Sequence, residues 1–380
     1  MNHTVTRNVS GTVIPFMLSA FSVFSISMVV QSLSSAFHVP VSVILIAIPI
    51  DFIGGAVGSI IIGRSADRIG RKPMMIISVL IFSISLILAS FIRNLYELYV
   101  LWFAIGIGVN SQNGISYPII VETLRKSTGS IGGVMQGTYF LGFLLDSVFF
   151  SFVHSWEHYF LISGIFSLVL ALPATLMIIE TKKRTLPSKP RHGLSGNLVY
   201  YTVSLSLIAV AAFMISVTLM SVVPTLLEEI KISNSFIIIF SVVGFVSFAC
   251  AGYLSDRFQK LNITIYFSIL ALISGIFLYI FYLHSMLLLF LVLAYVSSGF
   301  FGFIGVWSSE TFPAEVRASA TNIVLSAGRI LGGFSPIFSV ILIPDSLKDG
   351  LSIMIAISAV VSLLGSLIYF RAQKIRSTVL

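Results

Sequence analysis

Gly63-Arg64-Ser65-Ala66-Asp67-Arg68-Ile69-Gly70-Arg71-Lys72 decides the architecture, because it occurs twice. The later copy, 189 positions on, reads Gly252-Tyr253-Leu254-Ser255-Asp256-Arg257-Phe258-Gln259-Lys260. Gly63 aligns with Gly252 and Asp67 with Asp256 at one offset, and Gly55 aligns with Gly244 in the apolar runs ahead of them. A chain of 380 residues that repeats at about half its length is two copies of one unit. In each copy a long apolar stretch ends in a charged turn, so the unit is a bundle of membrane-spanning helices.

Composition supports this. Hydrophobic residues make up 57% of the chain and charged residues 9%, where a soluble protein carries about a quarter charged residues. The bilayer is therefore the solvent that dictates the fold. The single cysteine, Cys250, excludes an intramolecular disulfide and a cysteine metal cluster. Met1 to Gly11 is polar with one arginine, Arg7, and the apolar run after it is longer than a signal-peptide core and has no convincing cleavage site. It reads as a retained first span.

Spans of about 20 apolar residues fall at 12–36, 41–63, 74–92, 97–121, 130–153, 158–179, 198–227, 234–254, 262–283, 285–309, 319–343 and 350–370. The expectation is an all-α membrane protein of twelve spans: a six-helix bundle over 1–180, a basic linker over 181–197, and a second six-helix bundle over 198–380. With both termini inside, 18 of the 22 lysines and arginines lie on the inner face and 3, Arg93, Lys231 and Lys348, on the outer face. The remaining one, Arg329, lies within a span. That asymmetry orients the chain with cytoplasmic termini. It also accounts for the net charge of +8 as an attraction to the anionic inner leaflet rather than to nucleic acid. A plasma membrane is the expected location.

The doubled loop resembles the signature loop of the major facilitator superfamily of transporters. In that family it is a latch that stabilises the outward-facing state, which implies such a role here for Gly63, Asp67, Arg68, Gly70, Arg71 and Lys72, and for Asp256 and Arg257 in the second copy. Gly63 is expected to let two helices approach closely. Asp67 is expected to cap the next helical segment or to pair with a cation. A second pair of matching sites supports the repeat. Span 4 ends in Glu122-Thr123 and span 10 in Glu310-Thr311, which continues Phe312-Pro313-Ala314-Glu315-Val316-Arg317. This E-x-F-P-x-x-x-R run resembles the loop between helices 10 and 11 in the sugar and organic-acid branches. It adds Glu122, Lys126, Glu310 and Arg317 to the inner gate. Span 11, Ala327-Gly328-Arg329-Ile330-Leu331-Gly332-Gly333, resembles the branch that carries organic acids, sugars and aromatic acids. The sugar-porter motifs after spans 6 and 12 are absent, and Trp102 stands where many proton-coupled members carry an arginine.

Charges deep in a span are costly and default to functional candidates. There are three: Asp51, Asp146 and Arg329. Asp51 lies 12 residues before Gly63 and Arg329 lies 12 after Arg317, so each sits roughly 18 Å from the inner face at 1.5 Å per residue. In the family arrangement spans 2 and 11 are neighbours, which implies that Asp51 and Arg329 can pair. Arg329 reads as an anion contact, because a guanidinium forks onto a carboxylate, or as a structural clamp. Asp51 and Asp146 read as proton-coupling carboxylates. The alternatives are a permanent counter-ion for Asp51, and for Asp146 a place in the outer vestibule or a contact to a cationic substrate group.

Polar residues at helical spacing outline a face that points at a cavity or at another helix. Span 4 offers Asn110 and Asn113, span 11 Asn322, span 1 Gln31, span 5 Gln136, and Trp307 on span 10 offers a ring to stack on substrate or to bury. All six histidines lie in loops or tails, and no catalytic set, phosphate-cradling loop, metal site or cofactor site emerges. The chain therefore reads as no enzyme. It reads as a monomeric secondary transporter of a small solute, foremost an organic anion, with proton symport, working by alternating access of two bundles. Drug or metabolite efflux and neutral-sugar transport are the other transport readings. A non-transporting sensor fits poorly with such short tails.

Overall fold

The computed structural model describes residues 3–124, 128–180, 197–281, 283–313 and 316–379. Among the described residues there are helices and no strands. They run α1 His3–Phe37, α2 Val41–Leu45, α3 Ala47–Ile69, α4 Arg71–Ala89, α5 Leu95–Leu124, α6 Thr128–Phe150, α7 Trp156–Leu176, α8 Asn197–Glu229, α9 Phe236–Ser255, α10 Lys260–Ile280, α11 His284–Ser297, α12 Phe301–Thr311, α13 Arg317–Gly333, α14 Ser335–Ile341 and α15 Leu347–Val379. Among the described residues eleven stretches are long and apolar enough to cross a membrane, and α5, 30 residues long, stands where the sequence places the fourth span. In hydrocarbon each backbone N–H and C=O needs an internal partner, and a helix supplies both.

Three expected spans are broken helices, each with a local cause. Between α2 and α3, Pro49 has no N–H for the Leu45 carbonyl, and its ring crowds that carbonyl. The Ile46 N–H turns instead to Val43 O at 3.3 Å. Between α13 and α14, Pro336 leaves the Gly332 carbonyl without its usual donor, and the Ser335 hydroxyl takes it at 2.6 Å. Between α11 and α12 a 3₁₀ turn spans Ser298–Phe300. There the Ser247 hydroxyl donates to Val296 O at 2.5 Å, a side-chain intrusion that interrupts the helical ladder.

The chain forms two compact units. The first holds 1–126, 138–186 and 223–245, and is built on α1, α3, α4, α5 and α7. The second holds 127–137, 187–222 and 246–380, with α10 packed along α15. Glycines bring α3 and α5 together in the first unit. A Cβ at Gly54 would meet Phe103 O, one at Gly58 would meet Ile107 O, and one at Gly106 would meet Asp51 O. Apolar contact alone drives little association in lipid, so such backbone-to-backbone approach holds these helices together.

Candidate functional site

Asp51 lies on α3 and is 1% exposed. The close approach at Gly106 brings α5 alongside it, and Asn110 Nδ2 donates to Asp51 Oδ2 at 3.3 Å. Asn110, 4% exposed, also fits over Gly55 of α3. The structure therefore sets Asn110 against Asp51 inside the first unit, while Asn113, three residues on, is half-buried.

Asp146, on α6, is wholly buried in the same unit. The Tyr159 hydroxyl of α7 donates to Oδ1 at 2.6 Å, and Oδ2 has no partner among the described residues. The next residue, Ser147, donates to the backbone oxygen of Asn234 at 3.0 Å, which ties α6 to the turn before α9. A carboxyl in this position can hold a proton on Oδ2 while Tyr159 fixes its orientation.

Arg329 lies on α13 in the second unit and is 7% exposed. Its helix is pressed onto α8 by Gly328 and Gly332, where a Cβ would run into Ala209, Val210 and Phe213. This tight seat fixes the height of the guanidinium in the unit. Asn322 on the same helix is exposed, and Gln31 on α1 and Gln136 on α6 are half-buried. Trp307 is buried: its indole N–H donates to Tyr369 Oη at 3.1 Å, with the rings 4.8 Å apart.

Two carboxylates cap helices at the charged turns. Glu180 accepts the Arg71 and Lys72 N–H groups at 2.8 and 3.0 Å, at the start of α4. Lys72 Nζ in turn reaches Leu176 O at 2.7 Å. Gly70 has φ 128°, and a Cβ there would touch Glu180 Oε2, so this turn needs glycine both for its backbone and for the cap. In the second copy Asp256 accepts Gly129 N–H at 2.9 Å, Ser130 N–H at 2.8 Å and the Ser130 hydroxyl at 2.5 Å, at the start of α6. Partial burial of the Asp256 carboxyl raises its pKa, but the Ser130 and Gly129 donors and nearby Lys260 together bring it below the usual carboxylate range. Arg257 stacks over the Tyr253 ring at 4.3 Å, and Glu310 pairs with Lys260 at 2.8 Å. Arg68 is exposed and Arg71 buried. The side chains of Asp67, Glu122 and Arg317, and all of Lys126, lie outside the described residues, as does the linker over 181–196.

One expectation is corrected. Among the described residues a Cβ at Gly63 would meet nothing within 4 Å, so within its own unit no described helix approaches closely there. The close approach belongs to the matching Gly252, which packs on Gly129 O and the Gly133 backbone. Sequence reasoning also missed Tyr159, Glu180 and Gln112. Gln112 is fully buried on α5 with both amide atoms unpartnered among the described residues, and it lies between Asn110 and Asn113 in the chain. Among the described residues no three His, Cys, Asp or Glu gather in a metal-binding group.

Apolar helices of span length with buried ionisable groups and carboxylate-capped turns are those of a multi-pass membrane protein. Residues 13–336 match the model of the Major Facilitator Superfamily, and the chain belongs to that family. It is 23% identical over 304 residues to a Bacillus subtilis (strain 168) chain that bears the name niacin/nicotinamide transporter NiaP, covering 76% of each. It is 32% identical over 142 residues to the gentisate transporter of Corynebacterium glutamicum, covering 35% of this chain and 31% of that one. Its fold matches the inward-open xylose transporter XylE of E. coli with TM-score 0.74 at 16% identity, over 94% of this chain and 95% of the other.

Proposed function

We propose that this transporter carries a small organic anion by alternating access in a plasma membrane, with both termini cytoplasmic and with proton symport. The observation that carries the reading is Arg329, a guanidinium 7% exposed on α13 in an otherwise apolar stretch. Such a charge is retained in a span for function, and its planar fork suits a carboxylate. Relatives named for niacin and gentisate transport support the same ligand class. Asn113, Gln31, Gln136 and Asn322 are the proposed orienting groups. Asp51 and Asp146 are the proposed proton carriers, with Asn110 and Tyr159 as their respective hydrogen-bond donors. The Glu180 and Asp256 caps are proposed to open and reform during the cycle, as the inner latches.

The test is uptake of labelled aromatic and aliphatic carboxylates into proteoliposomes, with and without an inward proton gradient, by wild type and Arg329→Ala. Gradient-stimulated uptake that the variant loses is the expected result. Absence of uptake for every acid, or equal uptake by Arg329→Ala, overturns the reading.

A further inference from the structure

The carboxyl end of α7 carries two cations on its last carbonyls. Leu176 closes the helix and Met177 caps it, so their oxygens are among the acceptors that a helix end leaves over. Lys72 Nζ of α4 donates to Leu176 O at 2.7 Å, and Arg7 Nε of α1 donates to Met177 O at 3.2 Å. The two acceptors belong to consecutive residues, which sets the ammonium and the guanidinium side by side. Asn8 Oδ1 accepts the Ile179 N–H at 2.8 Å, and Gly11 presses α1 onto Ala174 O and Ile178, so the seat is firmly built.

Each contact uses one N–H, whereas a guanidinium has five and an ammonium three. No described residue takes the rest. Among the described residues neither cation has a carboxylate within salt-bridge distance, in contrast to Lys260 with Glu310. Glu180 is engaged by the backbone N–H groups of Arg71 and Lys72, at the start of α4. Arg7 is exposed and Lys72 half-buried, so an anion can reach both. Beyond this pair one face of α7 is apolar and open. Ile162, Ile165, Val169, Pro173 and Leu176 recur at helical spacing and are all exposed. Helix α4, packed along α7, adds exposed Ile77 and Ile84. A free phosphate would use only the head of this arrangement. A phospholipid uses both parts, with its phosphate on the cations and its acyl chains on the stripe. Two cations without carboxylate partners favour a headgroup of net negative charge over a zwitterionic one, whose own ammonium they repel.

We propose that Arg7 and Lys72 form a binding site for the headgroup of an anionic phospholipid, whose acyl chains lie along α7. With the termini cytoplasmic, as proposed above, the site faces the inner leaflet, where such lipids gather. The lipid phosphate takes up remaining donors of both cations in charge-assisted hydrogen bonds, and so reinforces their hold on the end of α7. The site lies wholly within the first unit and uses none of the groups assigned to substrate or proton.

Thermal unfolding of the purified full-length protein in an uncharged detergent tests this. Phosphatidylglycerol is titrated in, with phosphatidylcholine and soluble glycerol 3-phosphate as comparisons. A saturable rise in the thermal midpoint with phosphatidylglycerol is expected, and little change with the other two. Arg7→Gln and Lys72→Gln should each weaken the apparent affinity for phosphatidylglycerol about fivefold, equivalent to about 1 kcal/mol, and the double variant should lose the rise. Arg7→Lys and Lys72→Arg, which keep the charges, should retain it. Each variant is read against its own midpoint without lipid, so a lower basal stability does not imitate lost binding. Arg371→Gln, which removes an exposed cation of the second unit, should respond as wild type. No rise with phosphatidylglycerol, an equal rise with phosphatidylcholine, a rise with glycerol 3-phosphate alone, or a full response in the double variant overturns the proposal. So does an equal loss in Arg371→Gln, which would mean a general attraction to basic surface. No transport is measured, so a failed uptake experiment counts against the transport reading and not against this site.

Discussion

Tyr159 donates its hydroxyl hydrogen to Asp146 across 2.6 Å, joining α7 to α6 through a carboxyl with no exposure to solvent. The contact orients one oxygen of the acid and leaves the other, Oδ2, without a partner among the described residues. Tyr159→Phe removes the donor and strands the buried Oδ1, a loss of about 1–3 kcal/mol. The thermal midpoint of the purified protein should fall. Asp146→Asn keeps an acceptor for Tyr159 and should lower the midpoint less, while losing gradient stimulation of uptake. Undiminished stimulation in Asp146→Asn would remove Asp146 from the coupling scheme.

Glu180 holds the first N–H groups of α4 through both carboxylate oxygens. Loss of a helix cap costs about 0.5–2 kcal/mol. Glu180→Ala should therefore lower thermal stability by that amount. Gly70→Ala should be at least as harmful, since it adds a disfavoured φ of 128° to a collision with the same carboxylate. A Gly70→Ala protein as stable as wild type would contradict the turn geometry.

Gly106 and Gly63, both in the first repeat, should behave oppositely. A Cβ at Gly106 would strike the Asp51 carbonyl, so Gly106→Val should part α3 from α5, with a loss of about 1–3 kcal/mol or more. Gly63 has open space and lies within α3, where alanine is favoured over glycine by about 0.5–1 kcal/mol. Gly63→Ala should fold normally or gain stability. Matched thermal scans of the two variants decide this.

The pH dependence of the Asp256 cap follows from its hydrogen bonds. The carboxyl titrates below its ordinary value in the folded protein. Its stabilising effect is therefore complete above the unfolded value of about 3.9. It is lost as pH falls through the lower folded value. Wild type should lose thermal stability on acidification below about pH 4 more steeply than Asp256→Asn. Parallel stability–pH curves would mean that the carboxylate is not held at the start of α6.

Much of the fold could be read directly, because each signal was local. Apolar runs of span length and a charged turn at two matching positions act within a few residues of themselves, whereas the breaks at Pro49 and Pro336 appear only in the structure. The acids Asp51 and Asp146 and the base Arg329 also stood out, since each is a charge in an apolar run. Their partners did not. Tyr159 and Glu180 carry no mark of their own, and the N–H groups that Glu180 accepts lie more than a hundred positions earlier in the chain. Gly63 was misjudged for the same reason. A glycine at a helix end reads alike whether or not a second helix reaches it, and here the contact falls at Gly252.

The sequence by itself determined that this chain crosses a bilayer many times as helices and is built from a repeat, because hydrocarbon leaves backbone groups few other ways to be satisfied. Tertiary structure alone decided which buried polar groups meet: Asp51 with Asn110, Asp146 with Tyr159, Lys260 with Glu310, and Asp256 with the start of α6. Those pairings depend on how close two backbones come, to within a fraction of an ångström. That distance is set by the packing of neighbouring helices and not by any one stretch of residues.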